Sequence, residues 1–166
     1  MELSTKTDEE IVTLSLKDQS YFGELIDRYE AKLSRYLTRL GVRRLEDRED
    51  VLQEIFIKVY KNLNGFDTGL SFSSWVYRIA HNEAISWYRK QRVRPEGHLV
   101  DDSESIFLFS EGEDSSAEQL FDQSINAAEV AKAVTRLEEK YRAPIILRFF
   151  EHKEYEEISD ILRIPI

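Results

Sequence analysis

The chain has 166 residues, 42% hydrophobic and 33% charged, with a formal net charge of −9 and no cysteine. That balance fits a soluble globular chain of one ordinary domain or two small ones, and it excludes fibres, disulfide scaffolds, thiolate catalysis and zinc sites built on sulfur ligands. The longest apolar run, Ala143 to Leu147, is far short of the roughly 20 residues a membrane span needs, and the acidic N-terminus lacks the basic and apolar regions of an export peptide. A cytoplasmic protein without membrane insertion is therefore expected. His81, His98 and His152 lie far apart, and neither a phosphate-binding Gly-Lys loop nor a nucleophile elbow occurs. No metal, no cofactor and no enzymatic activity are expected.

In chain order, Asp8 to Lys17 reads as a short helix. From Ser20 a second follows, with apolar residues at Phe22, Leu25, Ile26, Tyr29, Leu33, Tyr36, Leu37 and Leu40 in steps of three and four. Gly41 stands where a left-handed cap ends such a helix. Asp47 to Leu63 repeats the pattern through Val51, Leu52, Ile55, Phe56, Val59 and Leu63. Its core stripe is complete without Ile57, which lies on the outward face with Asp50, Gln53 and Glu54. That face fits either a protein contact or a solvated helix with one exposed apolar residue.

Asn64-Gly65 and Gly69 interrupt the helix, and Ser71 is a plausible cap for a fourth that runs to about Gln91 or Arg94 and is ended by Pro95. This last helix concentrates positive charge: residues 75–94 hold Arg78, Arg89, Lys90, Arg92 and Arg94 against the single acid Glu83. Val76, Ile79, Ala80, Ala84 and Trp87 share the inward face, while Arg78, Asn82, Ile85 and Arg89 align on another. With Tyr77, His81 and Tyr88 nearby, the second face combines phosphate-binding guanidinium groups, a base-reading amide and aromatic stacking surfaces suited to single-stranded nucleic acid. A solvated basic face with its aromatics in the core is the other reading.

Residues 101–118 hold seven acids, no Lys or Arg, several serines and only Ile106-Phe-Leu-Phe109 as an apolar island, the composition of a linker. Helical spacing returns from Gln119 through Leu120, Phe121, Ala128, Ala131, Val134 and Leu137, then over Ala143 to Phe150 and Glu154 to Leu162. No strand alternation and no internal repeat is visible. The expected fold is all-α: a helical unit at 1–94, an acidic linker at 95–118 and a second helical unit at 119–166.

Asp50-Val-Leu-Gln-Glu-Ile-Phe-Ile-Lys-Val-Tyr60, then Phe72-Ser-Ser-Trp75-Val-Tyr-Arg78-Ile-Ala-His-Asn82 and a basic tail, resembles regions 2.2 to 2.4 of bacterial RNA polymerase sigma factors, in the extracytoplasmic-function (ECF) group of the sigma-70 family. Pro144-Ile-Ile-Leu-Arg148-Phe-Phe followed by Tyr155-Glu-Glu-Ile158-Ser-Asp-Ile-Leu162 is similar to the start of region 4. The resemblance implies promoter recognition and minus-ten melting on behalf of core RNA polymerase. It implies docking of Asp50, Gln53, Glu54 and Ile57 on the clamp helices of the polymerase β′ subunit, and a pocket for a flipped base formed by Asn64 to Ser74. It also implies contact of Phe72, Trp75, Arg78, Asn82, Ile85, Arg89 and Arg92 with promoter DNA, chiefly the non-template minus-ten strand. An anti-sigma factor is a further implied partner.

Region 4 is expected to be truncated at Ile166, where the recognition helix of its helix-turn-helix would begin. Tyr155, Ile158 and Leu162 should then fray or pack against the first unit or another chain. The alternative function is a helical adaptor, or an anti-sigma-binding module, that binds proteins without reading DNA. A hydrolase using Asp50 and Glu54 has no nucleophile or metal partner to support it.

Overall fold

Three of the α-helices, the first, the fourth and the last, begin where the sequence supplies a cap. Thr7 and Glu10 close a reciprocal box, Thr7 Oγ1 accepting from the Glu10 amide at 3.2 Å and Glu10 Oε2 from the Thr7 amide at 2.8 Å, and helix α1 follows over Asp8–Lys17. Helix α2, Phe22–Leu40, ends at Gly41, whose φ of 112° supplies the expected left-handed turn. The Val42 amide then returns to the Leu37 carbonyl at 2.9 Å. A Cβ at Gly41 would also collide with the Tyr88 hydroxyl, which donates to the Leu40 carbonyl. Helix α3 spans Leu45–Asn62 and helix α4 spans Phe72–Val93.

The computed structural model describes residues 3–93 and 129–166 apart from residue 131, and the side chains of residues 92, 93 and 139 lie outside that description. The predicted linker at 95–118 and the predicted helical positions Leu120, Phe121, Ala128 and Ala131 also lie outside it. Beyond the linker the residues at 129–130 and 132–136 are helical, helix α5 covers Glu139–Phe149 and helix α6 covers Tyr155–Leu162. Glu154 and Glu157 box the start of α6 as Thr7 and Glu10 box α1. Among the described residues there is no strand. The all-α fold with two helical units is the one expected.

The first unit packs α2, α3 and α4 around Leu33, Tyr36, Leu37, Ile55, Phe72 and Val76, all essentially without solvent exposure. The second unit closes Ile146 and Leu147 of α5 against Ile158 and Ile161 of α6. It then seats itself on the first: α6 lies along α4, and α5 touches α2. The end of the chain thus packs on the first unit, one of the expected outcomes.

One inward position differs from expectation. Tyr155 opens α6 and is 61% exposed, its ring beneath the Arg148 guanidinium at 4.9 Å, while Ile161 is 1% exposed and fills the place beside Ile158. Tyr155 lies within about 20° of Leu162 around the helix, so its exposure comes from its place as the first residue, at the open end of α6, and not from its angle.

Candidate nucleic-acid interface

The N-terminus of α4 is held from two sides. Ser71 Oγ accepts from the Ser74 amide at 3.2 Å, the predicted cap, and Glu9 Oε1 on α1 accepts from the Phe72 amide at 2.9 Å. This anchoring fixes the loop before it, where Asp67 Oδ1 accepts from the Gly69 amide at 2.9 Å and Leu70 projects outward, 63% exposed. Behind the loop lies an aromatic wall. Phe72 meets Tyr29 edge-on at 5.4 Å and Phe66 at 5.6 Å, and Trp75 lies 4.9 Å from Phe66.

That wall corrects one assignment. Phe72, placed among the DNA-contacting residues, is 1% exposed and is a core residue, because the first turn of α4 points its ring back toward Tyr29. Trp75 is half-buried and keeps part of its ring at the surface. Further along α4, Asn82 and Arg89 are exposed and Arg78 and Ile85 are half-buried, spaced four, three and four residues apart on one side of the helix. The Arg92 side chain lies outside the described residues.

The aromatic groups near this stripe are not open platforms. Tyr77 and His81 are buried, and the Tyr36 hydroxyl sits 3.0 Å from His81 Nδ1. Tyr88 is half-buried and committed to the Leu40 carbonyl. Ile85 faces a cleft of about 240 Å³ lined by Leu40, His81 and Ala84 of the first unit and by Leu137, Glu138 and Arg142 of the second. The side of α4 that carries Ile85 is therefore shared with an intramolecular neighbour.

On α3 the outward face is as expected. Asp50, Gln53, Glu54 and Ile57 are all exposed, Ile57 at 45%, while Val51, Leu52, Ile55 and Val59 on the opposite side are buried.

The two units meet through polar groups as well as apolar ones. Immediately after α5, Glu151 reaches into the first unit, Oε1 accepting from Arg39 Nη1 at 2.6 Å and Oε2 from the Tyr77 hydroxyl at 2.6 Å. The Arg39 and Glu151 side chains are each 5% exposed. Burial, reinforced by the Glu151 charge, pushes the hydroxyls of Tyr77 and Tyr36 well above the ordinary tyrosine value. Lys153 lies 4.6 Å above the Tyr77 ring and donates to Ser73 Oγ at 2.5 Å, and burial pulls its ammonium below the ordinary lysine value. Residues of α4 from Ser73 to Tyr77 are thus covered by the segment from Glu151 to Glu157.

Leu70, Arg39, Glu151 and Lys153 were not picked out from the sequence. Leu70 carried a local signal, a lone apolar residue between Gly69 and Ser71 outside any helical stripe. The other three carried none, since Arg39 and Glu151 are 112 residues apart in the chain.

The sequence and the fold have known counterparts. The profile of sigma-70 region 2 matches residues 25–94, and that of sigma-70 region 4 matches residues 127–166. The ECF RNA polymerase sigma factor SigW of Bacillus subtilis is 30% identical over 156 residues, covering 90% of this chain and 81% of its own length. The ECF RNA polymerase sigma-E factor of Escherichia coli K12 is 34% identical over 164 residues, covering 96% of this chain and 85% of its own. A solved structure of CnrH in complex with the cytosolic domain of CnrY superposes with a TM-score of 0.68 at 20% identity, covering 95% of this chain and 84% of CnrH. With both regions matched in order and relatives aligned along most of its length, the chain belongs to the ECF group of sigma-70 family RNA polymerase sigma factors and acts in transcription initiation.

Proposed function

We propose that the chain docks on core RNA polymerase through the outer face of α3 and holds the non-template minus-ten strand along α4. The observation that carries this reading is the exposure of Asp50, Gln53, Glu54 and Ile57 together on one face of a helix whose opposite face is fully committed to the core. An exposed isoleucine ringed by carboxylates and an amide has no role within this unit and fits a protein partner such as the β′ clamp helices. Around the turn of the chain, the capped loop with Leu70 and the edge of Trp75 would form the base pocket, and Arg78, Asn82, Ile85, Arg89 and Arg92 would follow the strand.

In this reading residues 1–94 act as the docking and strand-binding domain, residues 95–118 as a connector through the polymerase, and residues 119–166 as the region 4 domain. The chain confers recognition and changes no covalent bond. It works in the cytoplasm, and among its described residues no helix is long and apolar enough to cross a membrane. CnrH was solved with a protein partner, which supports a similar regulatory partner, an anti-sigma factor, for this chain.

A pull-down with core polymerase tests the docking face. Ile57→Asp combined with Gln53→Ala should reduce capture by about tenfold or more while circular dichroism shows unchanged helix content. Undiminished capture by the folded double variant would move the docking surface elsewhere.

A further inference from the structure

The contact between the units has the form of an occupied anion site. Two donors of the first unit, the Arg39 guanidinium on α2 and the Tyr77 hydroxyl on α4, each hold a different oxygen of one carboxylate at 2.6 Å. The carboxylate is Glu151, delivered by the second unit. Phe150 covers the guanidinium at 5.0 Å, and the ammonium of Lys153 stands over the Tyr77 ring at 4.6 Å. A structural ion pair is the plain alternative, but a buried pair contributes little reliable stability compared with apolar side chains of similar size. Here the pair also consumes a tyrosine adjacent to Arg78, on the helix proposed to carry the strand.

Both donors belong to helices of the first unit, and Tyr77 is held there independently of Glu151. Tyr77 packs against Tyr36 with ring centroids 5.2 Å apart, and Arg39 follows Tyr36 and Leu37 on the buried side of α2. When the second unit moves off, the Tyr77 hydroxyl and the Arg39 guanidinium stay with α4 and α2 of the first unit and lose the carboxylate they share. Guanidinium and hydroxyl donors are the groups that most often take phosphate oxygens.

We infer that Arg39 and Tyr77 form a binding site for a backbone phosphate of promoter DNA, and that the Glu151 carboxylate occupies this site in the closed chain. The inference deepens the proposed strand-binding role of α4 and rests on it. Closure and DNA binding compete for the same two donors. Loss of the resident carboxylate charge should raise the apparent affinity for single strands by the reciprocal of the open fraction.

The test uses the full chain and a fluorescein-labelled single-stranded DNA pool of random sequence, because a phosphate site does not read bases. Anisotropy titrations over a range of salt concentrations give affinity and salt slope. Glu151→Gln should bind about tenfold more tightly than the wild type. In that background Arg39→Gln should lower the slope of log affinity against log salt by about 0.7, and Tyr77→Phe should weaken binding about fivefold at unchanged slope. Tighter binding by Glu151→Gln followed by both losses supports the site. Equal affinity of Glu151→Gln and wild type, or an Arg39→Gln variant that keeps the slope, overturns it.

Arg89→Ala in the Glu151→Gln background separates this site from the strand reading itself. A slope that falls for Arg89→Ala and not for Arg39→Gln leaves the α4 stripe standing and removes the seat. The reverse leaves the seat and removes the stripe. Should Arg39→Gln lose helix content by circular dichroism, Tyr77→Phe decides alone, and unchanged affinity there rejects the site.

Discussion

The outer face of α3 and the strand face of α4 were read from the same kind of spacing, yet the structure treats them differently. All four α3 residues stand in solvent, while the α4 stripe is half covered and Tyr77 and His81 beside it are buried. The difference lies in what else each face touches. The α3 face has its core on one side and solvent on the other, so period alone separates the two. The α4 helix has three surroundings: the first unit's core, the second unit and solvent. A periodic pattern distinguishes inside from outside, but it cannot divide the inside between a permanent neighbour and one that arrives from far along the chain.

The largest test of that contrast lies within α3 itself. Ile55, fully buried, should cost about 3 kcal/mol of unfolding free energy on truncation to Ala, whereas Ile57→Ala, two positions away, should stay within about 0.5 kcal/mol. Urea unfolding of the two variants measures both. Comparable losses would mean that Ile57 is packed and that the two-faced picture of α3 is wrong.

A smaller effect probes the covered side of α4. Tyr77 and Tyr36, and with them Tyr29, have folded-state values raised above the ordinary 10.0, chiefly by burial. Their contribution to stability is fully present below pH 10.0 and is lost as pH rises from there toward the raised values, at about 1.4 kcal/mol per pH unit for each group still protonated only in the folded state. Lys153 acts in the opposite sense just below its ordinary 10.5, since the unfolded chain binds the proton that the folded one resists. Three tyrosines outweigh one lysine. Chemical unfolding from about pH 10 to about pH 11 should show declining stability, and Tyr77→Phe should remove about one proton from the slope. An unchanged slope would mean that Tyr77 ionises freely and is not covered by Glu151.

Within the stripe itself the effects are smaller still. With core polymerase and a single strand carrying the minus-ten sequence, Arg78→Ala and Arg89→Ala should each lower the salt slope by about 0.7, and Asn82→Ala should alter base preference more than slope. A smaller effect of half-buried Arg78 than of exposed Arg89 would mean that accessibility along α4 in the closed chain carries over to the bound state. Identical effects of all three on every sequence would remove Asn82 from base reading.

These contrasts also mark how far the chain explains itself. The four helices of the first unit, the Ser71 cap and the Gly41 turn were legible because each depends on neighbours within a few residues. The inner faces followed from the same spacing. Phe72 was misjudged because the resemblance marked its motif without revealing which way its first ring points. The Glu151 contact was illegible for a stronger reason: its donors lie on α2 and α4, and the position of α6 on α4 is decided by tertiary fit that leaves no periodic trace. Tyr155 was misjudged because spacing gives a residue's angle and not its place at the open end of a helix of eight residues.

The phase of a helix is what the Gly41 turn controls. Because glycine leaves room at the end of α2, the Tyr88 hydroxyl can bond the Leu40 carbonyl, and that directional bond pins the angular setting of α4 about its own axis. A helix turns by about 100° per residue, so a slip of a single position there would swing Arg78, Asn82 and Arg89 away from their common side. The absence of one methyl group thus works as an index mark. It sets which side of the basic helix faces outward, and so which side the proposed strand would meet.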